Sequence, residues 1–269
     1  MEEPELFTKI NASNTAETKK VLDKYQNSIK WNGKDWLLDI GCGPGDVTMN
    51  VIKKRMPETC EKLVAVDISE KMIEYCKEKY KDERNVEFCL MDIGADMKDY
   101  PDFLEKFDHV MSFTVLQWVQ DQRKVFSNIL KLLKPGGDLL ATFVASTTSF
   151  YMYEQIHEKW NLYMHDYKKF IGPYHHSDDP AAEVRKILHT VGFHEYKVEI
   201  KYQEQVVKSA DDLKTYIIAV SPFASRIPDK KRRDQFLNEV VEYYTEMGCR
   251  QPDGRFVYPC KMIVVYAKK

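Results

Sequence analysis

Short apolar runs alternate with amphipathic stretches through the first half of the chain. Trp36–Ile40, Leu63–Val66, Val86–Met91, Phe107–Phe113 and Leu139–Val144 read as buried strands, each short and closed by polar or glycine-rich residues. Between them the spacing of apolar positions turns helical. Val47–Met56 predicts an amphipathic helix stopped by Pro57. Ser69 caps a second helix, with Met72, Ile73 and Cys76 on its apolar face. Gln122–Leu133 predicts a third, ended by the turn Lys134-Pro135-Gly136-Gly137. Strands alternating with helices predict an α/β fold, a Rossmann-like doubly wound and mostly parallel sheet with helices on both faces.

The second half is patterned differently. Phe150–Phe170 predicts one long aromatic-rich helix, and Pro180–Val191 another ended by Gly192. Tyr196–Val207 and Arg255–Ala267 predict two strands. Asp211–Met247 between them is helical, broken near Pro222 and Pro228. With no internal repeat or low-complexity linker, a single domain over 1–269 is expected. Its core would be 36–146, and a helical substrate cover would come from 147–192 and 208–250.

Ligands of doubly wound sheets bind at the carboxyl ends of the strands, near the switch in strand order. Asp39, Asp67 and Asp92 all fall at or near such ends. After Asp39 comes Gly41-Cys42-Gly43-Pro44-Gly45, a loop that presents free N–H groups and lets a ligand approach the backbone. A dinucleotide loop has a third glycine where this chain has Asp46. An acid at the start of that helix disfavours a pyrophosphate but tolerates S-adenosylmethionine, which carries no phosphate. In that reading Asp39 faces the cofactor's ammonium and Asp67 accepts from the ribose hydroxyls. Asp92 accepts from the adenine amino group, and Ile68 and Ile93 flank the ring. Each acid taken alone is equally well a helix cap or a solvated loop residue; the set of three around one glycine loop favours the site. Cys42 is read as a small filler of the loop rather than a nucleophile.

Composition removes other classes. The 269 residues are 43% hydrophobic, enough for a buried core. Forty basic residues against 42 acidic leave a net charge of -2, with no footprint for nucleic acid or an anionic membrane. The acidic start Met1-Glu2-Glu3-Pro4-Glu5 is unlike a secretory signal, and no apolar stretch approaches the ~20 residues of a membrane span. Cys42, Cys60, Cys76, Cys89, Cys249 and Cys260 are widely spaced and form no C-x-x-C pair, as expected of reduced cytoplasmic thiols. His175-His176 before Asp178-Asp179 suggests a metal site. Adjacent histidines diverge on most backbones, however, so a polar loop with no metal is expected. Lys230-Lys231-Arg232-Arg233 reads as a solvated helix start.

The order and spacing of these motifs resemble the class I methyltransferases, and that resemblance adds Ser112 to the cofactor set. Ser112-Phe113-Thr114-Val115-Leu116-Gln117-Trp118-Val119 also looks like a segment of small-acid methyltransferases, the trans-aconitate family among them. Further segments resemble the juvenile hormone acid O-methyltransferase family. They are Leu6-Phe7-x-Lys9-x-Asn11, Trp118-Val119-Gln120-Asp121-Gln122, Phe170-Ile171-Gly172-Pro173-Tyr174-His175, Val191-Gly192-Phe193 and Ser221-Pro222-Phe223. The resemblance implies methyl transfer to the carboxylate of a sesquiterpenoid acid such as farnesoic acid. The chain departs from that family at Gln117, often His there, and at Thr114, often Tyr. Asn14 stands where the family has a substrate-holding Gln. Asn14 is also three residues before Glu17, the spacing of a helix cap with its capping box.

A carboxylic acid with a pKa of roughly 4 is ionised at neutral pH and needs no general base. The protein has only to hold it in line with neutral donors, and Trp118, Gln117 and Asn14 are the candidates. A lipophilic tail would need an apolar pocket of ~300 Å3 or more. Phe143, Phe150, Tyr151, Tyr153, Trp160, Tyr163, Phe170, Tyr216, Ile217 and Phe223 are available to line it. A small polar acid, or a terpenoid-binding protein without turnover, stays open as an alternative. The oligomeric state is not legible.

Overall fold

A computed structural model of the chain describes residues 3–269; Met1 and Glu2 of the acidic start lie outside the described residues. In chain order the elements are α1 (Pro4–Ile10), α2 (Ala12–Tyr25), β1 (Trp36–Ile40), β2 (Lys62–Asp67), α3 (Glu70–Lys79), β3 (Val86–Leu90), β4 (Phe107–Phe113), α4 (Gln122–Leu132), β5 (Leu133–Thr147), α5 (Thr148–Ile156), α6 (Asn161–Met164), α7 (Pro180–Val191), β6 (Glu195–Val207), α8 (Ala210–Val220), α9 (Pro222–Ser225), α10 (Lys230–Glu246) and β7 (Phe256–Lys268). The seven strands form one sheet in the order β3-β2-β1-β4-β5-β7-β6. β1 to β5 pair in parallel, and β7 runs against both of its neighbours. The strand order reverses between β1 and β4, which opens a crevice at their carboxyl ends.

Alternation along the strands sorts the two faces. Leu38, Ile40, Val64 and Val110 pack on α4 and α7 through Val125, Ile129, Val184 and Leu188. Leu37, Leu63 and Met111 face α2 through Val21 and Leu22, with Val51 and Ile52 beside them. A separate apolar cluster joins α5, α6, α8, α9 and α10, with Trp160, Ile217, Phe223, Phe236 and Tyr244 at its centre. That cluster stands over the crevice.

Four expectations change. The stretch 150–170 is not one helix but α5, α6 and a 3-10 turn at Tyr167–Phe170. Trp160 breaks it, turning in to pack edge-on against Phe236 with ring centroids 5.1 Å apart. α7, expected in the cover, belongs to the sheet layer, since Val184 and Leu188 are fully buried against it. The Lys134–Gly137 turn lies within β5: pairing advances from Phe107 to His109 on β4 while β5 advances from Leu133 to Asp138. Finally, the helix expected at Val47–Met56 is a π-helical turn at Thr48–Ile52 followed by a 3-10 turn at Lys53–Arg55.

Candidate functional site

The crevice holds a cavity of about 570 Å3, within the ~300–1,000 Å3 range of small-molecule sites. Its floor is the glycine loop. Gly41, Gly43 and Gly45 all have positive φ, at 77°, 53° and 82°. At Gly41 the reason is packing, because a Cβ there would lie 2.2 Å from Val115 Cγ2. At Gly43 the reason is access. A Cβ would meet only the Phe7 ring, at 4.0 Å, so it would project into the space a ligand needs.

The three carboxylates are brought together on the cavity wall. Asp39 is 3% exposed, and Thr48 Oγ1 donates to it at 2.6 Å. The π-helical turn sets that hydroxyl beneath the loop; such turns recur at functional sites. Burial pushes the Asp39 carboxyl up to about 7, the Thr48 bond opposes the rise, and the nearby Asp67 charge adds to it. Asp67 accepts from the N–H groups of Gly43 and Ser69, both at 2.9 Å, and burial raises its pKa against those two bonds. Asp92 accepts from Gly94 N–H at 2.7 Å. Ile93 is buried, whereas Ile68 is 69% exposed at the mouth. Cys42 lines the cavity, and its thiol is held well above its ordinary pKa by a bond to Cys76 and by burial. A protonated thiol suits filler rather than nucleophile.

Two cofactor-side expectations need correction. Ser112 does not line the cavity; it is fully buried and its hydroxyl donates to Ile40 O at 3.1 Å, tying β4 to β1. Asp46 does not meet an incoming ligand as a bare charge, because Lys79 pairs with it at 3.0 Å. A pyrophosphate is instead disfavoured by the cavity as a whole. Among the described residues no Lys, Arg or His lines it, while three carboxylates do.

The other end is neutral. Trp118 closes a 3-10 turn, Leu116–Trp118, that follows β4. Its ring packs edge-on against Phe150, centroids 6.4 Å apart, and its indole N–H donates to no described residue. Gln117 also lines the cavity, although it is only 2% exposed. Its Nε2 donates to Thr114 O at 2.8 Å and its Oε1 accepts from Val144 N–H at 3.3 Å. The amide thus braces Thr114, which is held at φ 61°, a strained conformation for a β-branched residue. Asn14 is no cap. It lies inside α2, whose N-cap is Asn11, and it lines the cavity.

Sequence reasoning missed several lining residues. Phe7, Asn11 and Thr18 join Asn14 on one side of the N-terminal helices. The i, i+3, i+7 spacing of Asn11, Asn14 and Thr18 is a legible inward polar stripe. Gln203 and Gln205 line the far wall from alternate positions of β6, with Cys260 and Met262 of β7 beside them. Of the aromatic residues nominated, Phe150, Tyr153, Phe170 and Tyr216 reach the cavity. Phe143, Trp160, Ile217 and Phe223 are fully or almost fully buried packing residues, and Tyr151 is 44% exposed. Arg226, between α9 and α10, is committed to Asp166, and Arg185 of α7 to Val198 O. Outside the cavity, His175 and His176 do not diverge as expected; their ring centroids are 4.4 Å apart, and both face Glu154.

Comparison with known proteins places the chain. A family described as "Methyltransferase domain" matches residues 32–211. The juvenile hormone acid O-methyltransferase of Drosophila melanogaster is 34% identical over all of this chain and 93% of its own length. That of Bombyx mori is 35% identical over all of this chain and 98% of its own length. Among solved structures, YcgJ from Bacillus subtilis matches 93% of this chain and 98% of its own, with TM-score 0.57 and 15% identity. Haemonchus contortus phosphoethanolamine N-methyltransferase 2, solved with S-adenosyl-L-methionine, matches 93% of this chain and 52% of its own, with TM-score 0.56 and 17% identity.

Proposed function

We propose, from the premise that this chain belongs to the family of the juvenile hormone acid O-methyltransferases, that it methylates the carboxylate of a lipophilic sesquiterpenoid acid. It is an S-adenosylmethionine-dependent methyltransferase with a class I, Rossmann-like sheet. The observation that carries the reading of its substrate is the cavity's polarity. Carboxylates gather at the glycine-loop end, neutral donors at the other, and no described basic side chain lines either.

The residues fit the cofactor. Asp39, Asp67 and Asp92 suit a cation bearing hydroxyls and an amino group, Gly43 leaves room at the backbone, and Ile68 and Ile93 border the ring site. When bound, S-adenosylmethionine supplies a sulfonium methyl that a carboxylate oxygen can take in one displacement. The remaining work is positional. Trp118 offers an indole N–H and Asn14 an amide, both neutral, so they orient the acceptor carboxylate without neutralising its charge. Gln117 supports this end mainly by fixing Thr114 and the turn that carries Trp118. The aromatic cover holds the tail and keeps water away.

A small polyanionic acid of the trans-aconitate type is poorly served by a wall without arginine. No helix among the described residues is long and apolar enough to cross a membrane. The wide spacing of the six cysteines, with no C-x-x-C pair, supports a cytoplasmic placement. The test is incubation with methyl-labelled cofactor and a panel of farnesoic acid, its epoxide, saturated fatty acids and trans-aconitate. Label should appear in the esters of the terpenoid acids. Binding without any ester would mark a silent paralogue, and preferential labelling of trans-aconitate would overturn the assignment.

A further inference from the structure

The cover carries a side-chain cluster that methyl transfer does not use. Glu154 lies on α5, and His175 and His176 lie in the loop that leads to α7. Backbone bonds from His175 N–H to Gly172 O and from Ser177 N–H to Tyr174 O fold this loop into successive turns, which bring both imidazoles to the same carboxylate. His176 Nε2 is 2.6 Å from Glu154 Oε1, and His175 Nε2 is 3.6 Å from Glu154 Oε2.

We infer that Glu154, His175 and His176 form a site for a zinc-class divalent cation, which clamps α5 to the loop before α7. Three observations carry this. First, one potential donor atom from each residue lies within 4.8 Å of the others. Tetrahedral ligands at ~2.0–2.1 Å from zinc are spaced about 3.3 Å apart. The His175–Glu154 separation is already close to that. The His176–Glu154 pair opens by a small swing of His176, whose side chain is 64% exposed.

Second, the His175 side chain is 1% exposed, yet its Nε2 has no hydrogen-bond partner. Buried ring nitrogens are rarely left so. Its Nδ1 is engaged with Ser146 Oγ at 2.9 Å, the outer-shell contact that fixes a ligating imidazole. With Nδ1–H donating to Ser146, the Nε2 lone pair faces a carboxylate, an arrangement that a cation between them makes attractive. Third, two imidazoles and one carboxylate select zinc-like ions over calcium or magnesium, which take oxygen ligands. Water completes the fourth position on the exposed side.

The cation's role is structural. The Phe150 ring packs edge-on to His175, centroids 5.3 Å apart, and Phe150 in turn lines the cavity beside Trp118. Clamping His175 therefore fixes the wall behind the acceptor end.

The test is titration of the chelator-stripped full chain with cobalt(II) chloride, followed by visible absorption. One cobalt per chain should bind, with the intense d–d bands of a four-coordinate nitrogen and oxygen site and no thiolate charge-transfer band. His176→Gln and Glu154→Gln should each weaken binding by more than the ~10–100-fold that an outer-shell loss costs. Near-UV circular dichroism in chelator, unchanged in both, confirms their fold. Absence of binding, bands of thiolate character alone, or unchanged affinity in either variant would overturn the site.

Discussion

At the residue scale the cavity is an acid wall facing a neutral one, and the proposed cofactor site makes Asp39 the residue whose charge state should decide binding. Its carboxyl titrates near 7 because burial disfavours the charge. A cationic ligand binds only the ionised form well. Affinity for S-adenosylmethionine should therefore fall about tenfold per pH unit below about 7 and level off above it. Calorimetric titration of the cofactor across that range measures the slope. Asp39→Asn should bind weakly and with the slope removed; a slope that survives assigns the titration elsewhere. At the acceptor end, Trp118→Phe keeps the ring and deletes the N–H. Losing a bond to a charged group of about 1.5–3 kcal/mol should lower kcat/KM for the acid by roughly ten- to a hundredfold, with cofactor affinity unchanged. Steady-state kinetics separates the two, and a loss of cofactor affinity instead would remove Trp118 from the acceptor end. The three acids and Gly43 were legible because strand ends and glycine spacing are local signals. Asn14's place inside α2 and Gln117's burial were not, since both depend on where α2 and the cover settle against the sheet.

At the element scale, prediction held where an element is short and punctuated. α7 shows why. Asp179 accepts from Ala182 N–H at 2.9 Å, Pro180 opens the first turn, and Gly192 ends the helix at φ 112°. These are sequence-local stops, and the expected and observed helix coincide. Their contribution is measurable. Asp179→Ala leaves an N–H of the first turn without its partner and should cost about 1 kcal/mol. For a chain of this size that is a fall of roughly 2–4 °C in melting temperature, read by scanning calorimetry. No change would mean that the cap is replaced by water. The stretch 150–170 lacks such punctuation. Its aromatic residues satisfy a helical pattern, but the inward turn of Trp160 is a tertiary event. The π-helical turn at Thr48 is equally silent in the sequence, because one extra residue per turn does not disturb a short apolar period. That turn sets the Thr48 hydroxyl on Asp39, so the least legible element bears directly on the site.

At the scale of the whole molecule, the two ends of the sheet hold charge in opposite ways. The carboxyl ends leave three acids for a ligand. The amino ends close on themselves: His109 of β4 lies 2.9 Å from Asp138 of β5 and 3.4 Å from Asp35, which precedes β1. The Trp31 ring covers it at 4.5 Å. Burial works against a charge on His109, but the Asp138 bond and the Asp138, Asp35 and Asp108 carboxylates outweigh it and raise the pKa above its ordinary value. A raised folded-state pKa stabilises the fold fully below the unfolded value of about 6.5, and that contribution disappears as pH rises through the folded value. Asp39 has the same sign in a lower window. Its neutral form favours the fold, so stability falls from about pH 4 to about 7 and is flat above. Melting temperature should therefore decline from mildly acidic to alkaline pH, with the limb above about 7 belonging to His109. His109→Gln should lose about 3–5 kcal/mol near pH 6, where an interior charge pair is broken, and less at pH 9. The two melting curves should converge as pH rises. If instead they run parallel, His109 titrates at the same pH in the folded and unfolded chain, and the surrounding carboxylates contribute no pH-dependent stability through it.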